Sequence, residues 1–338
     1  TEIYTLSLHD ALPISPMADV QPLPAPATAC LGIEIGGTKL QIVSGNYDGR
    51  IRSRHRFTVD RTRGGPGIRA QIEQCLADLR NQLQLNAIGV GFGGPVDRQT
   101  GRIRCSHQIE GWDEFPLLEW LTSLAQVPVK VENDANTAAL GEAKCGAGVG
   151  HDPAFYVTLG SGVGGGLVAD GAIYHGATPG EAEIGHVRLT TAGDTVESLC
   201  SGWAIDRLIR QRCRNHPETV LAKLCAGQSS GEAMHLVTAL ERDDSLAAEI
   251  LEETARNLAF GLSHVTHLFH PEVIILGGGL SNVGEPLRAA VQRQLASFIM
   301  TAFQPGPAVR LAKLGEDAVP VGALLLAGKC LQPDPGAE

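Results

Sequence analysis

The chain has 338 residues, 43% hydrophobic and 19% charged, with a formal net charge of -10 and a mean hydropathy of +0.02. That length suits a globular protein of about two domains. The acidic balance and the lack of a Lys/Arg cluster disfavour nucleic acid and anionic membranes as partners, and no apolar run is long enough to span a bilayer.

Eight cysteines, at 30, 75, 105, 145, 200, 213, 225 and 330, are dispersed without a Cys-x-x-Cys pair. This argues for the reducing cytoplasm and against a disulfide scaffold. Residues 1–16 stand apart, because Thr5 to Ser15 (TLSLHDALPIS) reads as a translated DNA-sequencing adapter, and they are excluded from fold reasoning. A signal peptide fits less well, since there is no basic n-region and His9 and Asp10 interrupt the apolar residues. Met17 is the expected native start, unless a broken read has removed upstream coding sequence. Residues 17–30 are Pro/Ala-rich and read as a flexible lead-in.

From Leu31 the pattern alternates strands and helices. Ile33–Ile35, Leu40–Val43 and Ile51–Val59 read as strands of an antiparallel meander, with turns at Gly36-Gly37-Thr38-Lys39 and Asn46–Gly49. The first turn is either an ordinary hairpin or a phosphate loop. Paired glycines allow main-chain N–H groups to approach an anion, and a carboxylate, Glu34, precedes them. Ile68, Ile72, Cys75, Leu76, Leu79 and Leu83 recur at helical spacing and predict an amphipathic helix over 68–84. Strands follow at 87–92, ending in Gly93-Gly94-Pro95, and at 127–131, ending in Glu132-Asn133-Asp134. An Ala-rich helix then runs from 135 to about 145. Ligands of open α/β sheets sit beyond the carboxyl ends of strands, so Asp134 stands where chemistry is expected, although a helix N-cap would use the same residues.

Gly160–Gly166 contains a formal G-x-G-x-x-G. It lies between strand-like segments rather than before a helix, so it reads as a second glycine hairpin and not as a dinucleotide fingerprint. Two such hairpins, each opening a meander, suggest a duplicated domain with a phosphate clamp between the copies. No Walker-type P-loop occurs. A long helix over 245–269 precedes the strand 273–276 and a third glycine run, Gly277-Gly278-Gly279, which suits either a flat ligand or close helix packing.

Taken together, GIEIGGTK, GVGFGGPVD (89–97), ENDANTAALGE (132–142), TLGSGVGGG (158–166), GEAEIGH (180–186), PEVIILGGG (271–279) and LGEDAVPVGAL (314–324) resemble the ROK family of sugar kinases and repressors. The resemblance spans 31 to about 330. It implies an actin-like, hexokinase-type (ribonuclease H-like) α/β fold, two α/β domains around a cleft: residues 31–134 with about 314–332, and residues 135–313. It further implies ATP with Mg²⁺, a small-molecule hexose substrate and a homodimer. By position, Glu34, Gly36, Gly37, Thr38 and Lys39 correspond to the first phosphate loop, Gly160, Ser161, Gly162 and Gly164 to the second, and Gly277, Gly278 and Gly279 to the adenosine contact. Asp134 corresponds to the general base. Asn133, Glu183, His186 and Glu197 correspond to sugar-binding groups, although Glu183 and Glu197 could equally be surface carboxylates and His186 a structural histidine.

Kinase and sugar-responsive regulator are the two functional classes that compete under the resemblance, with a sugar-binding protein that has lost catalysis as a third reading, motivated by Glu34 and the missing zinc loop. The phosphate loop and base favour the kinase; a regulator would need a DNA-binding domain lost upstream. Departures from the family pattern are Glu34 in place of Asp, Gln108 in place of an Asn, Ser161 in place of Thr, and a segment from His186 to Glu197 without the cysteines of the family's structural zinc. Cys200 alone cannot complete a tetrahedral site. Metal analysis of the purified protein is expected to find no stoichiometric zinc; about one zinc per chain would refute this.

Overall fold

The computed structural model describes residues 27–106, 109–177 and 182–331. Gln108, residues 1–26 and part of the GEAEIGH motif lie outside the described residues.

Strands β1 (Ala27–Ile35), β2 (Lys39–Gly45) and β3 (Ile51–Thr58) form the expected antiparallel meander, with Ile35 opposite Leu40 at the first glycine turn. β1 starts inside the segment expected to be a lead-in. The last proline there is Pro26, so from Ala27 onward the N–H groups can join a ladder, and Ala27–Ala29 pair in parallel with Leu83–Leu85. Helix α1 (Gly64–Arg80) also starts earlier than its apolar pattern, and Leu83 passes to β4 (Leu83–Phe92). Gly64 and Gly65 are not breakers here. A Cβ on either would lie within 2.8 and 2.7 Å of the Glu110 and Gly111 carbonyl oxygens, so they permit close backbone contact, and Pro66 is tolerated in the first turn.

A short ribbon of β5 (Val96–Asp97) and β6 (Arg102–Ile103) precedes α2 (Leu117–Ala125), β7 (Val129–Asn133) and α3 (Asp134–Cys145). The first sheet has the order β3-β2-β1-β4-β7, with β1, β4 and β7 parallel. A second sheet repeats the pattern. β8 (Ala154–Leu159), β9 (Val163–Ala169) and β10 (Ala172–Ile173) form its meander, and β11 (Val273–Gly277) and β12 (Ala308–Leu311) add in parallel, giving β10-β9-β8-β11-β12. Matching strand orders are what a duplicated domain requires. Helices α4 (Val196–Cys200), α5 (Gly202–Asn215), α6 (Val220–Leu224), α7 (Leu236–Leu240), α8 (Ser245–Phe269) and α9 (Glu285–Phe298) lie between β10 and β12, and most of them cover one core. A separate core joins α1 and α2 to the first sheet. Among the described residues no helix is long and apolar enough to cross a membrane.

The two sheets meet through α3 and α10 (Ala318–Lys329), which pack on each other; α10 also covers β1 and β4, and α3 covers β8 and β9. Small residues make this possible. A Cβ at Gly322 would lie 1.8 Å from the Thr137 carbonyl oxygen, and one at Gly141 would lie 2.4 Å from that of Ala318. Buried Glu142 adds a polar clamp, accepting hydrogen bonds from the backbone N–H of Ala147, Lys313 and Leu314 at 2.7, 3.1 and 2.7 Å. Gly322→Ala is therefore expected to lower stability by about 1–3 kcal/mol through overpacking against backbone. Denaturant unfolding would read this, and a midpoint equal to wild type would contradict the close crossing.

Candidate active site

Asp134 is the first residue of α3, at the carboxyl end of β7. The capping role falls to its neighbour. Asn133 is extended, its Oδ1 accepts from the N–H of Ala135 and Asn136 at 2.8 and 3.1 Å, and its Nδ2 donates to the Gly94 carbonyl at 3.2 Å. Asp134 Oδ1 accepts from Ala135 N–H at 2.8 Å, while Oδ2 faces Gly93, where an added Cβ would lie 3.4 Å away. Burial, and then the charge of Glu34, push the Asp134 carboxyl up to about 7; the Ala135 N–H opposes this and Glu183 adds to it. A carboxylate so tuned exchanges a proton near neutrality.

The second glycine hairpin closes with Gly160 N–H donating to the Gly162 carbonyl at 2.9 Å, and β9 follows it, as expected for a loop that is not a dinucleotide fingerprint. Glu197 supports this turn. Its Oε2 accepts from Val163 N–H at 2.9 Å and fills the space a Gly162 side chain would need, 2.6 Å from that Cβ position. The N-terminus of α5 abuts the same turn through Gly202 N–H to the Gly160 carbonyl at 2.7 Å.

At the first hairpin, Gly36 N–H donates to the Lys39 carbonyl at 3.0 Å, and Gly36 lies beside Gly93 near Asp134. Glu34 is buried and doubly engaged: Lys39 Nζ lies 3.3 Å from Oε1 and Gln41 Nε2 donates to Oε2 at 2.7 Å. Burial raises the Glu34 pKa, against the opposing pull of Lys39 and Gln41. Gln41 in turn accepts from Arg56 Nε at 3.0 Å, and Arg61 Nε donates to the Gly37 carbonyl at 3.2 Å. The carboxylate is thus held by a side-chain network behind the turn.

The third glycine run divides in two. A Cβ on Gly277 would strike the Tyr156 ring, and Gly278, at φ +77°, lies against the Leu159 backbone, so both serve close packing. Gly279 has open space on its Cβ side. Gly278 also brings this run to the end of the strand that leads into the second hairpin.

A cavity of about 730 Å³ joins Asn133, Asp134, the Gly160–Gly165 turn, Glu183, His186 and Glu197. Glu183 Oε2 and His186 Nε2 are 4.0 Å apart, with both side chains largely open. The first hairpin and the third glycine run are not among its lining residues. Two lining residues carried no sequence signal: Trp203 and Arg207, one turn apart on α5, opposite its buried Ile205 and Ile209. Arg207 has no hydrogen-bond or ion-pair partner among the described residues. Its position emerges only because α5 starts against the glycine turn.

The segment from His186 to Glu197 closes as a small hairpin held by hydrogen bonds. Val196 N–H donates to the Val187 carbonyl at 3.0 Å, Leu189 N–H to that of Asp194 at 2.8 Å, and Thr190 Oγ1 to Asp194 Oδ2 at 2.9 Å. Among the described residues, no three His, Cys, Asp or Glu side chains converge as a metal-holding group.

Comparison with known proteins agrees with this arrangement. A glucokinase from Thermotoga maritima is 30% identical over 306 residues, covering 88% of this chain and 96% of the relative. A glucokinase from Streptomyces coelicolor is 34% identical over 320 residues, covering 90% and 98%. The crystal structure of a ROK family glucokinase from Streptomyces griseus in complex with glucose and AMPPNP superposes with a TM-score of 0.77 at 32% identity, covering 89% of this chain and 99% of that one. The fold is therefore the actin-like one, two α/β domains around a cleft. The ROK family model matches residues 30–329, a span that holds both glycine hairpins, Asp134 and the third glycine run, and the chain belongs to the ROK family.

Proposed function

We propose that the chain is an ATP-dependent hexose kinase that transfers the γ-phosphoryl group to the 6-hydroxyl of glucose or a similar aldohexose, N-acetylated hexosamines included. The observation that carries this reading is Asp134, at a strand end on the cavity wall, with a carboxyl tuned to about 7 between a polyol-binding set and a glycine turn. Glu183, His186 and Glu197 offer carboxylate and imidazole groups that orient several hydroxyls at once. Asn133, with its Oδ1 engaged by the helix, has only Nδ2 left to offer the sugar.

Asp134 Oδ2 would take the proton of the 6-hydroxyl as that oxygen bonds to the γ-phosphorus. The bond from phosphorus to the β,γ-bridging oxygen breaks, and ADP leaves with that electron pair. Backbone donors of the two hairpins, Gly36 to Lys39 and Gly160 to Gly164, suit the polyphosphate, and Arg207, without a partner among the described residues, supplies a cation on the wall of the same cavity as the second. Gly279 has room for the flat adenosine. Mg²⁺ fits this set, because Glu34 and Asp134 are neighbouring carboxylates whose repulsion a dication would relieve, and Mg²⁺ binds through one or two carboxylates and the phosphates. When bound, the ion supplies charge neutralisation to the transferring group. We assign residues 31–134 with about 314–332 to one lobe and 135–313 to the other, in a cytoplasmic homodimer.

In a coupled ADP-release assay over a hexose panel, Asp134→Asn is expected to lower kcat by roughly 10²–10⁴-fold. Equal, slow release by wild type and variant with every sugar would sink the kinase reading. Because Asp134 acts as a base only when ionised, kcat/KM should fall about tenfold per pH unit below about 7 and level off above it. A profile that is flat from pH 5 to 8 contradicts the assignment.

A stability test follows from the same shift. The folded-state pKa is raised above the unfolded value, so the folded chain binds the proton more tightly, and stability declines as pH rises between the two values. Asp134→Asn is expected to melt above wild type at pH 8, with the gap closing towards pH 4; a variant less stable than wild type at pH 8 contradicts it.

A further inference from the structure

Gln41, on the middle strand of the first meander, is 1% exposed, and both N–H groups and both lone-pair positions of its amide are taken. Nε2 donates to Glu34 Oε2 at 2.7 Å and to the Glu316 carbonyl at 3.4 Å, while Oε1 accepts from Arg56 Nε at 3.0 Å and from Arg54 Nη1 at 3.4 Å. The amide cannot turn over. A flip would set its oxygen against the Glu34 carboxylate and its N–H groups against two guanidiniums.

Strand register builds this row. Glu34 stands opposite Gln41, and Gln41 opposite Arg56, so carboxylate, amide and guanidinium lie side by side on one face of the sheet. That face meets the start of α10: a Cβ on Gly91, the neighbour of Glu34 on β4, would lie 2.5 Å from Val319 Cγ1. Just ahead of α10, Glu316 and Asp317 pair with Arg56 and Arg54 at 3.0 and 2.6 Å. Gln41 is thus held from β3 and from the turn before α10, independently of Glu34.

The two groups that hold Glu34 differ in kind. Lys39 lies 3.3 Å from Oε1 on a side chain 39% exposed and free to swing to an arriving phosphate, whereas Gln41 has no other position to take. We propose that Gln41 is a positioning residue for the Mg²⁺–nucleotide: it keeps the Glu34 carboxylate beside the first glycine hairpin when Lys39 leaves it for a phosphate oxygen. This rests on the kinase reading above. Without the amide, Glu34 keeps only the exchangeable partner, and displacements of an ångström at such a site cost up to about 100-fold.

The test is calorimetric titration of ADP, with MgCl₂ and with EDTA, into wild type, Gln41→Met, Glu34→Gln and the double variant. Methionine keeps the length of the side chain and removes the amide. Gln41→Met is expected to weaken ADP about tenfold with Mg²⁺ present, leaving the affinities for ADP in EDTA and for D-glucose within about twofold of wild type. In the Glu34→Gln background the same substitution should cost nothing further, because Gln41 acts through Glu34. Should Gln41→Met not fold, Arg56→Met, at the exposed end of the row, carries the same cycle with a loss of about threefold. An unchanged affinity, a loss equal in both backgrounds, or one equal with and without Mg²⁺ overturns the proposal, as does a Glu34→Gln variant that binds ADP with Mg²⁺ as wild type does. A wild type that binds ADP with Mg²⁺ but forms none from ATP with any hexose would instead overturn the kinase reading, while the cycle still tests Gln41.

Discussion

The close crossing of α3 and α10 is the constraint on which the rest of the structure depends. α3 leaves the first sheet at Asn133 and runs across the second. It can do so only because Gly141 and Gly322 let backbone touch backbone. Glu142 then ties the far end of α3 to the chain entering α10 by two backbone hydrogen bonds, from Lys313 and Leu314, while a third, from Ala147, closes the turn after α3. A rigid helix held at one end by packing and a carboxylate clamp, and at the other by the Asn133 cap, gives Asp134 a defined place.

That place is electrostatically costly. Asp134 is half-buried beside Glu34 and Glu183, and its first compensation is a single N–H at the start of α3. Lys39 is drawn to Glu34, and the arginines of β3 are drawn to Gln41 and to the acidic residues before α10. Burial, with the charge of Glu34 adding to it, is what raises the Asp134 carboxyl to about 7. Ionising Asp134 thus costs stability, the trade that its proposed role as a base would require.

Glu34, at a position where the family resemblance leads one to expect Asp, fits this picture. Its side chain reaches both Lys39 and Gln41 on the neighbouring β2, which hold the carboxylate beside the glycine turn. The segment from His186 to Glu197 shows a comparable substitution of means. A hairpin of backbone hydrogen bonds and a Thr190–Asp194 contact closes a loop that carries no cysteine. In both cases ordinary hydrogen bonding holds a group that faces the cavity or the turn.

Much of this was legible in the sequence, for local reasons. The glycine turns, the strand-end triplet Glu132-Asn133-Asp134 and the apolar spacing of α1 and α8 are encoded within a few residues, because φ/ψ freedom, capping and periodicity act at that range. Motif order was enough to identify the family and two similar halves. Boundaries fared worse where tertiary contact overrode local signals, as when Gly64 and Gly65 became helix against the Glu110–Gly111 backbone, and when Ala27 joined β1. Only the tertiary structure separated the glycines that pack from those that face open space, gave the cap to Asn133 and left Asp134 Oδ2 towards Gly93, brought Arg207 to the cavity wall, and joined Glu132 to His175. Each of these depends on which segments distant in the chain become neighbours, and pairwise burial and charge between such segments leave no local mark in the sequence.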